Sequence, residues 1–116
     1  MSYDLDFWKE KPGVKLDPQE TYERLCNDER VDGLEELPVE KILERIKEAF
    51  QQGWTQLDFQ TWEASAKSFQ VHTTPQFFRV DCGGLSGDEM NLFIDIAAEF
   101  GCPLYDPQVG KRYAGA

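Results

Sequence analysis

Residues 2–8, SYDLDFW, alternate strictly, with Tyr3, Leu5 and Phe7 on one side and Ser2, Asp4, Asp6 and Trp8 on the other. A period of two with aromatic residues predicts a half-buried strand. Pro12-Gly13 supplies the turn signal that closes it. The spacing then changes. In LDPQETYERLCNDE, Asp17 is placed as an N-cap, Pro18 suits the first helical position, and Tyr22, Leu25 and Cys26 form a narrow apolar stripe. A short helix ending before Val31-Asp32-Gly33 follows. LPVEKILERIKEAFQQG carries the clearest helical period, with Val39, Ile42, Leu43, Ile46, Ala49 and Phe50 on one face and Gly53 as the stop.

Trp54–Ser68 has no dominant period and reads as a helical turn or an irregular loop bearing Trp54, Phe59 and Trp62. Beyond it, Phe69, Val71 and Thr73 alternate with Gln70, His72 and Thr74. Phe78, Val80 and Cys82 likewise alternate with Phe77, Arg79 and Asp81. Two strands around TTPQ are predicted, a hairpin with Pro75 where it breaks no ladder. Ser86 and Glu89 spell a capping box for a further helix, which Gly101 and Pro103 end. A short last strand is expected around Leu104–Asp106, followed by a loose tail. Residues 1–116 thus read as a single α+β domain with one core. The order is β-α-β-β-α-β, that of a ferredoxin-like sandwich. The expected form is an antiparallel sheet with helices on one face and a first crossover made of two helices.

Composition changes this picture in two ways. A 41% hydrophobic content with 13% aromatics marks a folding chain rather than an acidic disordered tail. A net charge of −10 repels phosphate backbones and anionic membranes, which argues against nucleic-acid and membrane partners. No apolar run approaches the roughly 20 residues of a membrane span, and MSYDLDFWKE lacks the pattern of a secretory signal. Cys26, Cys82 and Cys102 are odd in number and lack CxxC spacing, so reduced thiols and a cytoplasmic location are expected.

Catalytic and ligand motifs test poorly. His72 is the only histidine, and a Cys82–His72 pair oriented by Asp81 fails because Cys82 and Asp81 point to opposite faces of one strand. CGGLSGDE lacks the Lys-Ser/Thr ending of a phosphate loop and opens its helix with acids. DERVDGLEE lacks the order of a calcium loop. No metal or cofactor is expected. Trp8, Trp54, Phe59 and Trp62 are read either as core packing or as aromatic anchors at a partner surface.

One stretch stands out. Between Asp28 and Glu40, the acids Asp28, Glu29, Asp32, Glu35, Glu36 and Glu40 face Arg30 alone, with Asp17, Glu20 and Glu23 before them and Glu44 and Glu48 after. A solvated surface would explain this run of charge. A field complementary to a basic protein would explain it too.

The opening MSYDLDFWK, together with TTPQFFRVDCGG and the closing GCPLYDPQ, resembles a group of small bacterial immunity proteins. These belong to polymorphic-toxin loci of the contact-dependent growth-inhibition type. The resemblance implies a cytoplasmic, non-enzymatic protein that binds and blocks the toxin domain of a neighbouring gene product, in many cases a nuclease. It carries over no contact residues. From the charge pattern, Asp28, Glu29, Asp32, Glu35 and Glu36 are the first expected contacts, with Asp4, Asp6, Trp8, Trp62 and Glu63 as a second surface. The protein alone is expected to be a monomer or weak dimer. Two alternatives remain open: an acidic interaction or regulatory domain without a toxin partner, and a small enzyme using His72 or a carboxylate cluster.

Overall fold

The computed structural model describes residues 2–113, apart from the side chain of Ser2; the last residues of the expected tail, 114–116, lie outside the described range. In chain order the elements are β1 (Ser2–Phe7), α1 (Pro18–Cys26), α2 (Val39–Ala49), β2 (Thr55–Asp58), β3 (Thr61–Ala64), β4 (Lys67–Thr74), β5 (Phe77–Gly83), α3 (Gly87–Glu99), β6 (Leu104–Asp106) and β7 (Lys111–Arg112). The strands form one sheet in the order β2-β3-β4-β5-β1-β6-β7, with every adjacent pair antiparallel. The protein is therefore α+β, with seven strands and three helices among the described residues.

The helix starts form for the local reasons their residues supply. Asp17 accepts the Glu20 N–H at 2.9 Å, with Pro18 in the first turn. Ser86 and Glu89 close a reciprocal capping box on α3. Where the sequence suggested a stop at Gly53, α2 ends earlier, with Phe50 at the C-cap turning into the core.

Alternation along the strands sends apolar side chains to both faces; α2 and α3 cover one face, and α1 covers part of the other. Leu5, Phe7, Phe69, Val71, Phe78 and Val80 pack against Ile42 and Ile46 of α2 and against Phe93, Ile96 and Ala97 of α3. On the opposite face Trp8, Phe77 and Tyr105 pack against Leu25 of α1 and against Val31 and Leu34 just beyond it. The expected arrangement, all helices on one face over one core, is corrected here. Trp8, Phe77 and Tyr105 supply a second apolar patch behind the sheet, and the narrow stripe of α1 is what buries it.

The first crossover is also richer than two helices, because it contains the hairpin β2–β3. That hairpin occupies the stretch expected to be a turn or loop. Thr55–Asp58 is exposed at every position, so no alternation between core and solvent marked it as a strand. α1 covers only β1, β5 and β6 on its face. The polar positions of β3 and β4 there, Glu63, Ser68 and Gln70, are exposed.

Candidate functional site

The connection between α1 and α2, residues 27–38, is held from two sides. On one side it pairs with the chain leaving β1: Lys11 donates to the Gly33 carbonyl and Glu35 donates to that of Lys9, both at 2.8 Å. On the other side the β4–β5 turn grips it. Gln76 is buried there, its Oε1 accepting from the Val31 N–H at 2.8 Å while its Nε2 donates to the carbonyls of Val31 (2.9 Å) and Leu34 (3.2 Å). Leu37 adds a bond to the Pro75 carbonyl at 2.7 Å. Val31, Leu34 and Leu37 point inward, which leaves Asp28, Glu29, Asp32 and Glu36 exposed and Glu35 half-buried.

The first expected contact group is thus brought onto one fixed segment. Most of its charge is already engaged within the chain. Glu29 pairs with Arg24 at 3.3 Å, Glu35 with Lys9 at 3.3 Å, Glu36 with Arg30 at 3.1 Å, and Asp28 lies 3.1 Å from His72 Nε2. Asp32 has no ion-pair partner among the described residues. Exposed pairs of this kind contribute only about 0–1 kcal/mol each, so a competing cation can displace them.

Asp28 has an unusual backbone. It closes α1 at φ 59°, the left-handed conformation for which helix ends favour glycine. Glu29 donates to the Arg24 carbonyl and Asp28 to that of Leu25, the bonds of a Schellman turn. An aspartate here costs about 1 kcal/mol relative to glycine, yet it places a carboxylate against the sheet at His72.

The second expected surface is not assembled. Trp8 is fully buried and Trp62 is 2% exposed, stacked on Phe69 at 5.0 Å. Both are core residues, Trp8 because α1 covers the face expected to be open. Asp6 is also fully buried, and as a carboxylate it would have no donor for either oxygen. Burial pushes its carboxyl up to about 9, reinforced by a hydrogen bond to Asp4. The raised value favours the protonated, neutral form of Asp6 at neutral pH. Asp4, half-buried, also accepts from the Tyr22 hydroxyl (3.1 Å) and Gln108 Nε2 (2.8 Å), tying β1 to α1 and to the β6–β7 turn. Of this second group, Glu63 alone is openly exposed. Phe59, read either as core packing or as an anchor at a partner surface, is 68% exposed at the tip of the β2–β3 hairpin beside Leu57.

His72 and Cys82 lie on opposite faces of the sheet, and burial pushes the Cys82 thiol up to about 12. They do not form a nucleophile and base. All three cysteines are free thiols. Among the described residues no cluster of His, Cys, Asp or Glu is arranged to hold a metal ion, and no helix is long and apolar enough to cross a membrane.

No protein-family model, curated protein or solved structure matches this chain. The site stands on its own geometry. Gln76, which holds the candidate site in shape, is the residue the sequence did not single out. A polar residue following Pro in a turn was its only signal, and turns are full of these.

Proposed function

We propose that this protein is a non-catalytic inhibitor that binds a basic toxin domain through residues 28–36, as the resemblance to immunity proteins implies. The observation that carries this reading is the anchoring of the acidic connection. Gln76 and the strand-like pairing with residues 9–11 fix its shape before any partner arrives. A pre-ordered segment loses little entropy on binding, so its charges act on affinity as well as on encounter. Asp32 leads, having no internal cation to shed, while Asp28, Glu29 and Glu36 exchange weak internal pairs for the partner's lysines and arginines. We infer also that β4-β5-β1-β6 with α2 and α3 form a ferredoxin-like sandwich, to which α1, the β2–β3 hairpin and β7 are additions. The protein acts in the cytoplasm, where its three thiols stay reduced.

A second reading draws on the internal pairing itself. A site whose cations already sit beside most of its acids presents a weaker field, which suits a regulatory domain that binds several basic proteins loosely.

The deciding experiment captures partners from the native cell at physiological salt, then mixes the purified partner with this protein and assays the partner's activity. The immunity reading expects one stoichiometric basic partner that loses its activity on mixing. With that partner, the triple variant Asp28→Lys, Asp32→Lys, Glu36→Lys associates about tenfold more slowly or worse at low salt. An unchanged association rate removes residues 28–36 as the contact. Several weak, salt-sensitive partners would instead establish the regulatory reading.

A further inference from the structure

The uncovered half of the sheet adjoins the acidic connection. His72 projects from β4 toward Asp28, so the connection forms a wall along one side of this face. The floor beside it is a cross-strand row. Thr61 lies opposite Gln70, Gln70 opposite Asp81, and Asp81 opposite Asp4. A groove of about 270 Å³ runs over Thr61, Ser68, Gln70, Asp81 and Gly83. It continues past Ser68 and Gly83 toward Glu63 and the β3–β4 turn. Position 83 contributes no side chain to it, and a Cβ there would meet Ser68 Oγ at 3.3 Å.

The chemistry of this floor is one-sided. Thr61, Ser68 and Gln70 offer neutral oxygen acceptors, Glu63 offers an exposed carboxylate, and the Asp81 carboxylate is shared with Arg79. Asp4 and Asp81 stand opposite one another, a like-charge juxtaposition that Arg79 offsets from within the chain, its Nε 3.2 Å and its Nη2 3.3 Å from the two oxygens of Asp81. The local cation, Arg79, is already committed, 3.2 Å from Asp81 on one side and 3.5 Å from the Cys26 thiol on the other. Lys67 turns to the opposite face, where it pairs with Glu89 at 2.5 Å and lies over Trp54. Polar acceptors around a groove bounded by carboxylates match a guanidinium, whose fork of donors takes several oxygens at once.

We propose that this open face, from Thr61 and Gln70 to Asp81, is the docking floor for an arginine-bearing segment of the basic partner, with residues 28–36 as the adjoining wall. The proposal rests on the partner being basic, as above, and extends the contact from one segment to a two-sided surface. The net charge of −10 makes a second copy of this chain the wrong occupant.

The test needs no identified partner. A blocked tetra-arginine peptide is titrated into the 15N-labelled protein at low salt, and backbone amide shifts are followed. The expected result is that the largest shifts fall on Thr61, Ser68, Gln70 and Asp81, with smaller ones at 28–36. Gln70→Lys, at an exposed position, weakens binding about tenfold while leaving the spectrum of the core unchanged. Shifts centred on Glu40, Glu44 and Glu48 of α2, shifts confined to residues 28–36, no binding, or a Gln70→Lys variant within about twofold of the parent would each overturn the floor. Shifts confined to 28–36 would leave the anchored connection as the contact. Failure of the immunity reading shows separately, as the absence of a partner whose activity is lost.

Discussion

Asp6 carries an acid where the fold wants a neutral donor. The native protein holds a proton there until about pH 9, whereas the unfolded chain releases it near 3.8. Its contribution is therefore fully favourable below the lower value, falls as pH rises through the interval, and levels off above the upper one. Asn at this position keeps a donor for Asp4 without the titration. Asp6→Asn is expected to be more stable than the parent by at least about 1 kcal/mol at pH 7 and to lose that slope. Urea unfolding at pH 5, 7 and 9 measures both, and parallel slopes for the two proteins would count against a protonated Asp6. Asp28 presents the opposite trade. Asp28→Gly relieves the left-handed backbone and should raise stability by roughly 0.5–1 kcal/mol, while slowing association with a basic partner. Thermal melts and binding kinetics on the one variant read the two effects, and a loss on both would show that the His72 contact matters more than the strain.

Among the elements, those with a strong period or a cap were legible: β1 from its alternation, α2 from its stripe, α3 from Ser86 and Glu89. The hairpin β2–β3 was not, because an edge strand exposed at each residue has no buried side to write into the sequence. Nor could the face chosen by α1 be read. The alternation of β1 shows which residues share a side, but both sides are apolar enough to be covered, and tertiary packing decides by which helix. The acidic connection itself was visible as a run of charge, whereas its rigidity depends on a contact 45 residues distant, between Val31 and Gln76. Gln76→Ala strands the Val31 N–H and the carbonyls of Val31 and Leu34. It should cost roughly 3 kcal/mol or more, since each of the three buried groups left unpaired costs about 1–3. Amide exchange at Val31 should speed up well beyond the global change. Exchange that slows or holds level would mean the connection is secured by residues 9–11 alone.

Over the whole molecule, charge and shape combine in a way composition only hinted at. The −10 balance is a property of the entire chain, yet the structure distributes it unevenly in use. Several acids are neutralised by neighbours, Asp6 by its proton, and Asp32, which has no ion-pair partner among the described residues, sits on a fixed turn. If the connection and the floor act together, partner affinity should weaken steeply between about 50 and 200 mM salt, where screening shortens from roughly 14 to 7 Å. The Lys triple variant should flatten that dependence, and an identical salt slope in both proteins would place the contact elsewhere. The grip of Gln76 also has a consequence in time. During synthesis the acidic connection leaves the ribosome well before the turn that clasps it, so nascent chains shorter than about 76 residues expose the charges without their arrangement. Under the immunity reading proposed above, inhibition should therefore switch on only once the β4–β5 hairpin has emerged. On that reading, a cell making both this protein and a toxin gains no protection from a fragment that lacks the hairpin.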